Sequence, residues 1–332
     1  MSERKRILSG NRPTGKLHWG NYFGALSNWI ALQEEFDCFY FVADWHALTT
    51  GYEHTSGICP SVKDVLKDWL AAGLDPEKST IFVQSWVPEH AELHLLLSMI
   101  TPLGWLERVP SYKEMKEELS NRDLNMYGFF GYPLLQAADI LIYKADFVPV
   151  GEDQLAHLEF ARELVRRFNF ITESDIFVEP KPKLTKTARI PGLDGRKMSK
   201  SYDNAIYMAD DDETIRRKMM QAITDPARKR RDDPAHPEIC NIFTYHKLYT
   251  DPAEVEGVEA DCRTAKIGCV DCKKMCIANA IAFWAPIRER RQAWNGREGE
   301  LLNMARAGSE RARTVATGVI ERVRAAMGVV YE

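Results

Sequence analysis

Apolar positions along the chain recur with two periods, and the change from one to the other divides it. In the first half, short continuous apolar runs alternate with segments in which apolar residues return every three or four positions. RILS (6–9), CFYFVAD (38–44), TIFVQS (80–85) and DFVPV (146–150) have the unbroken character of strands buried on both faces. Between them the spacing predicts helices from about Asn21, over 60–73 with a stop at Gly73, over 88–100, 111–120 and 131–143, and from Leu155 to about Phe168. This βαβα order predicts an α/β fold with a doubly wound parallel sheet, which binds ligands at the carboxyl ends of its strands. From about Ile206 the strand pattern ends. Helices are predicted over 211–223, 240–249, 270–283 and 298–327, with polar turns between them, DPAEVEGVEAD (251–261) included. A stretch rich in Pro, Lys and Gly (180–200) is expected to be a mobile connector. The expected organisation is a nucleotide-binding domain over 1–203 and an all-helical domain over 204–332, with the last helix packing back on the first.

Composition narrows the class. The 332 residues exceed what one core commonly organises, and 45% hydrophobic with 28% charged residues is a globular balance that excludes a disordered chain. No apolar run approaches the roughly 18 residues of a membrane span. MSERKRILSG lacks the apolar segment of a signal peptide, so a cytoplasmic location without membrane partners is expected. Lys and Arg total 44 against 48 Asp and Glu, a net charge of −4, so a nucleic acid partner would have to use a local basic surface. Arg228-Lys229-Arg230-Arg231 is that candidate; the arginines scattered from Arg288 onward are expected to be mostly solvated. Five of the seven cysteines lie between Cys240 and Cys276. Without a secretory signal, clustered thiols point to metal or cluster ligation rather than disulfides.

Three segments carry candidate chemistry. PTGKLHWGN (13–21) follows the first strand: Gly20 permits close approach of a base and ribose, while His18 and Asn21 stand at a helix start where both can face phosphates. A capped helix after a glycine turn would look the same. GRKMSKS (195–201) places Lys197 and Lys200 on a flexible loop, suited to the charge of a pyrophosphate leaving group or simply to solvent. In YPLLQAADILIY (132–143), Asp139 interrupts an apolar helix and must have a partner, within the protein or on a ligand N–H. Gly151 and Asp153, just past a strand, have the composition of a ribose-binding turn, and Gln154 either joins them or caps the next helix.

Taken together, the three segments resemble the class I aminoacyl-tRNA synthetases, with their Rossmann-type catalytic domain, and among them the tryptophan branch. His18-Trp19-Gly20-Asn21 is similar to the family's HIGH signature, and Lys197-Met198-Ser199-Lys200-Ser201 is a complete KMSKS. SGNRPTG (9–15), VADWHALT (42–49), AADILIY (137–143) and VPVGEDQ (148–154) match that branch in order and spacing. Trp19 departs from the usual isoleucine, and Asn21 in place of the last histidine is common in the branch. The resemblance implies tryptophan activation by ATP with Mg²⁺, transfer to tRNA(Trp), and a homodimer. It implies that Arg12, Pro13 and Thr14 line the ATP site, with Gly20 and Asn21 against adenine and phosphate. Gly151, Glu152 and Asp153 would hold the ribose, the Ile190 backbone would meet adenine, and Lys197, Met198, Ser199, Lys200 and Ser201 would close over the pyrophosphate. Lys197, Lys200, His18 and Asn21 would be the catalytic set. Asp139 would accept the indole N–H; Tyr132, Gln136 and Gln154 would hold the ammonium group, although Gln136 stands where other members have methionine. Leu8, Val148 and Val150 would wall the indole pocket, with Asp44 and His46 beside it at the end of strand two.

The thiols fit a narrower resemblance. Cys240-x₂₁-Cys262-x₆-Cys269-x₂-Cys272 is similar to a subset of the branch that carries a [4Fe–4S] cluster in its helical domain. The first gap is one residue shorter than in that subset, a difference the turn 251–261 is expected to absorb. Four thiolates equally suit Zn²⁺. Competing assignments are a tyrosyl-tRNA synthetase, which shares fold and reaction, and an RNA-binding relative without catalysis; an intact KMSKS and Asp139 argue against the latter.

Overall fold

A computed structural model describes residues 4–109, 126–184 and 190–330 of the chain. Five strands form one parallel sheet in the order β3-β2-β1-β4-β5: β1 (Arg6–Asn11), β2 (Asp37–Val42), β3 (Ser79–Val83), β4 (Phe147–Val150) and β5 (Lys181–Leu184). Alternate side chains serve opposite faces. Ile7, Tyr40 and Ile81 enter one apolar layer, while Leu8, Phe41 and Phe82 enter the other. Burial on both faces is why these strands read as continuous apolar runs.

Helices cover both faces. On the first lie α1, a helical run of Trp19–Asn21, a π-helical turn Tyr22–Leu26 and Ser27–Leu32, and α3 (Ile58–Ala72), ended by Gly73 at φ +121°. The helical half joins the same layer through α9 (Asp212–Gln221), α10 (Asn241–Tyr249) and α12 (Cys269–Gln292). On the second face lie α4 (Glu89–Ser98), α7 (Tyr132–Leu141) and α8 (Leu155–Ile171), with the short α5 (Leu103–Glu107) and α6 (Tyr127–Phe130) nearby.

Several expectations are corrected. Strand two stops at Val42, and Asp44 opens a helix, α2 (Asp44–Gly51). Part of the connector is β5, too short and polar to show a strand pattern. The segment expected to be a turn over 251–261 is helical, α11 (Pro252–Arg263): Asp251 accepts the Ala253 N–H and Pro252 opens the first turn. The predicted helix 111–120 lies outside the described residues.

The last helix, α13 (Glu298–Ala326), passes from one layer to the other around the edge of the sheet. Leu301 and Ala305 belong to the first layer, whereas Ala312, Ala316, Ile320 and Val323 belong to the second. It crosses edge strand β3 at Gly308, where a Cβ would overlap the Ile81 carbonyl oxygen, and the Ser309 hydroxyl accepts the Val83 N–H at 3.4 Å. A helix thus covers this edge, while Lys181, Pro182 and Lys183 blunt the other. Several C-terminal arginines expected to be solvated instead tie the halves together. Arg291 pairs with Asp64 and buried Asp68, Arg290 donates to the Ala71 carbonyl, and Arg313 and Arg324 pair with Glu89 and Glu92.

Candidate active site

The winding of the sheet reverses at β1, between β2 and β4, so the carboxyl ends of β1 and β4 open a crevice. A cavity of about 500 Å³ occupies it. Its wall includes Leu8–Asn11 from β1, Arg12 just after it, Gly24 and Ala25 from the π-helical turn of α1, and His46 from α2. Tyr132, Gln136 and Asp139 from α7, Val148–Val150 from β4, Gly151 just beyond it, Gln154 before α8 and Lys197 also line it, with Trp29, Phe41 and His157 among the rest. Thus Leu8, Arg12, His46, Tyr132, Gln136, Asp139, Val148, Val150, Gly151, Gln154 and Lys197, drawn from distant parts of the sequence, share one wall.

Asp139 is the electrostatic centre of the wall. It is 1% exposed. Its Oδ1 accepts from Gln84 Nε2 at 2.8 Å and His90 Nδ1 at 2.6 Å, and its Oδ2 from His46 Nε2 at 2.9 Å and again from Gln84 at 2.9 Å. Burial alone would push the carboxyl up; the hydrogen bonds from His46 and His90 reverse this and hold it down at about 2, so Asp139 is ionised at neutral pH. Gln84 and His90 were not anticipated. Gln84 directly follows β3, at a carboxyl end where this sheet type gathers functional groups, and that position was the available signal. Tyr132 is joined to His157 at 3.1 Å.

The other predicted residues gather beside the cavity without lining it. His18 caps α1: its Nδ1 accepts the Asn21 N–H at 3.2 Å, and the Asn21 Oδ1 accepts the His18 N–H at 3.0 Å. Burial, with Lys200 and Lys197 adding to it, lowers His18 to about 4, so the ring is neutral. Gly20 packs closely, since a Cβ there would lie a tight 3.0 Å from the His18 ring and in ordinary contact, 3.5 Å, with Met198 Cβ. The Lys200 ammonium donates to the Thr14 carbonyl at 3.0 Å and its hydroxyl at 3.2 Å, joining the second basic motif to the first loop beyond Pro13. Met198 N–H donates to the Ile190 carbonyl at 3.2 Å, and the Ser199 side chain accepts from Ser201 N–H at 3.3 Å. Glu152 continues the Gly151 turn into a 3₁₀ turn; the Asp153 side chain lies outside the description. Trp19 points elsewhere. It is fully buried, stacked on Trp284 at 5.6 Å and 6°, and edge-on to Tyr245 and Tyr249.

The chain matches the family model for class I tRNA synthetases (W and Y) over residues 1–285. It is 50% identical over 329 residues to the tryptophan–tRNA ligase of Thermotoga maritima, an alignment covering 98% of this chain and all of that one. The chain belongs to the class I tryptophanyl-tRNA synthetases. The ligase of Aquifex aeolicus is 44% identical, again over 98% of this chain and all of the relative. Among solved structures, the Campylobacter jejuni synthetase complexed with ADP and tryptophan superposes with a TM-score of 0.88 at 32% identity, over 97% of this chain and 99% of that one. A tyrosyl-tRNA synthetase from Archaeoglobus fulgidus shares the fold at 23% identity and a TM-score of 0.66.

In the helical half of this synthetase, Cys240 precedes α10, Cys262 lies in the last turn of α11, and Cys269 and Cys272 lie in the first turn of α12. Burial pushes the Cys272 thiol up to about 12, with Cys240, Cys262 and Cys269 adding to the effect. Among the described residues, no three His, Cys, Asp or Glu side chains converge as a metal site does. Arg228 turns inward, its Nη1 3.7 Å from Cys269 Sγ, while Lys229, Arg230 and Arg231 remain exposed. Among the described residues, no helix is long and apolar enough to cross a membrane.

Proposed function

We infer that the synthetase activates tryptophan with ATP and transfers it to tRNA(Trp). The observation that carries this is the ionised, buried Asp139 on the same cavity wall as Lys197, at the point where the sheet reverses its winding. The indole N–H would meet Asp139, Leu8, Val148 and Val150 would enclose the ring, and Tyr132, Gln136 and Gln154 would hold the ammonium group. ATP would lie along Arg12, Pro13, Thr14, Gly20, Asn21 and the Gly151–Asp153 turn, with Ile190 beside adenine and Lys197–Ser201 over the phosphates. The tryptophan carboxylate, already anionic, attacks the α-phosphorus; the new O–P bond gives the adenylate, and pyrophosphate leaves with the electron pair. No general base is needed. The neutral His18 and its partner Asn21 position the helix start, and Lys197 and Lys200 stabilise charge on the departing group. Mg²⁺ would arrive on the ATP phosphates, as it commonly does, since this ion keeps most of its water. In the second step the terminal ribose hydroxyl of the tRNA takes the aminoacyl group.

The division of labour we propose places this chemistry in residues 1–203 and tRNA reading in 204–332, with Lys229, Arg230 and Arg231 as phosphate contacts, in a cytoplasmic homodimer. Exposed Leu95, Met99, Leu103 and Tyr127, on α4, just past its end, and on α5 and α6, support the dimer. Four soft sulfur donors at the ends of three neighbouring helices support a [4Fe–4S] cluster on Cys240, Cys262, Cys269 and Cys272, with Zn²⁺ as the alternative.

The test is ATP–pyrophosphate exchange with single amino acids. Tryptophan should support it, and tyrosine and phenylalanine should be at least about a thousandfold poorer in kcat/KM, because a site built around one N–H rejects ligands that lack it there. Comparable exchange with tyrosine would overturn the assignment.

A further inference from the structure

A carboxylate that selects a ligand by one N–H must stay ionised and keep one lone pair aimed at the cavity. Asp139 is held to that task from two sides. Of its three partners, only His46 lines the cavity; Gln84 and His90 lie behind the carboxylate and are 0% exposed. An ionised carboxylate only accepts, so both ring nitrogens that touch it donate. Behind the site, His90 Nε2 stands 2.7 Å from the Tyr143 hydroxyl, itself fully buried. Burial raises Tyr143 well above its ordinary 10, so the phenol keeps its proton. That proton, directed at Nε2, leaves Nδ1 to carry the hydrogen that Oδ1 receives. Gln84 completes the rear support with its amide N–H groups, and its Oε1 has no partner among the described residues.

We propose that His90, oriented by Tyr143, is a positioning residue for tryptophan selection, and that His46 is the exchangeable partner that yields Oδ2 to the indole N–H. Oδ1 stays clamped while Oδ2 changes donors, so recognition replaces one hydrogen bond with another and never strips the carboxylate bare. This inference rests on the reading of Asp139 as the indole acceptor. It adds a residue that contacts neither cavity nor ligand.

The test compares L-tryptophan with its benzothiophene analogue, in which sulfur replaces the N–H at nearly constant shape, by the kcat/KM ratio in ATP–pyrophosphate exchange. In the unmodified enzyme tryptophan should be strongly preferred; absence of preference would overturn the Asp139 reading itself. His90→Leu should cut the ratio by about tenfold or more, most of it through KM for tryptophan, with KM for ATP unchanged, as expected for loss of a charge-assisted hydrogen bond. Tyr143→Phe, which removes only the hydroxyl and keeps the ring, should move the ratio the same way by less. His90→Asn, whose amide can donate from near the Nδ1 position, should recover part of it. If the enzyme discriminates but His90→Leu and Tyr143→Phe lower both amino acids equally, His90 is merely structural and the proposal fails. Should His90→Leu not fold, Tyr143→Phe decides alone.

Discussion

At the scale of single residues, the site works by holding charges in unusual places. The Lys200 ammonium rests on Thr14 with no carboxylate in hydrogen-bond contact among the described residues, and burial draws it down to about 8, an effect Asp68 and Asp64 only partly oppose. A lowered ammonium value means the charged form is present below about 8 and lost above it. The expected outcome is a kcat/KM for ATP that falls as pH rises through about 8. Lys200→Arg, which keeps its charge, should flatten that alkaline limb even at a lower rate. A wild-type profile level to pH 9.5 would remove Lys200 from the phosphate contact. Asp139 was legible in the sequence because a carboxylate inside an apolar helix demands an explanation. Its partners were not legible: Gln84 and His90 look like ordinary polar residues flanking a strand and opening a helix. The end of β3 brings Gln84, and the packing of α4 against α7 brings His90, to one carboxylate. Trp19, which departs from the family's usual isoleucine, packs into an aromatic cluster with the helical half.

At the scale of elements, β1 to β4 could be read from unbroken apolar runs, while β5, Lys-Pro-Lys-Leu at an edge, offers no such run. The helix α11 was missed because it has one buried apolar residue, Val258, although Asp251-Pro252 carried a usable start signal. The passage of α13 over β3 depends on a single missing side chain. Gly308→Ala should lower stability by about 3 kcal/mol, because the Ile81 carbonyl is backbone and cannot turn aside. Gly318→Ala, in the same helix with open space where its Cβ would go, should be neutral or stabilising by up to about 1 kcal/mol. Urea unfolding midpoints check the pair, and equal shifts would show that the close approach is unimportant.

For the molecule as a unit, the change of pattern near Ile206 was readable, but the joining of both halves in one apolar layer was not, since no local signal reports which distant face a helix covers. The thiols stand at three helix ends of that second half. Cys269→Ser should spare tryptophan activation while weakening tRNA charging or thermal stability, because none of the four thiols lines the cavity that holds Asp139. Metal analysis of anaerobically prepared protein decides what they hold. About four irons with acid-labile sulfide support the cluster, one zinc without sulfide replaces it, and neither leaves packed thiols alone.

The covered edge has a consequence in time. Val83 and Ser309 are separated by 226 positions, so β3 emerges from the ribosome long before the helix that shields it. At about 5–20 residues per second, that delay is roughly 11–45 s of synthesis. The β5 edge carries its lysines and proline from the moment it is made, whereas the β3 edge travels bare through this interval. A message cut short before Gly308 would therefore yield chains with a permanently open strand, suited to pairing with one another rather than to charging tRNA.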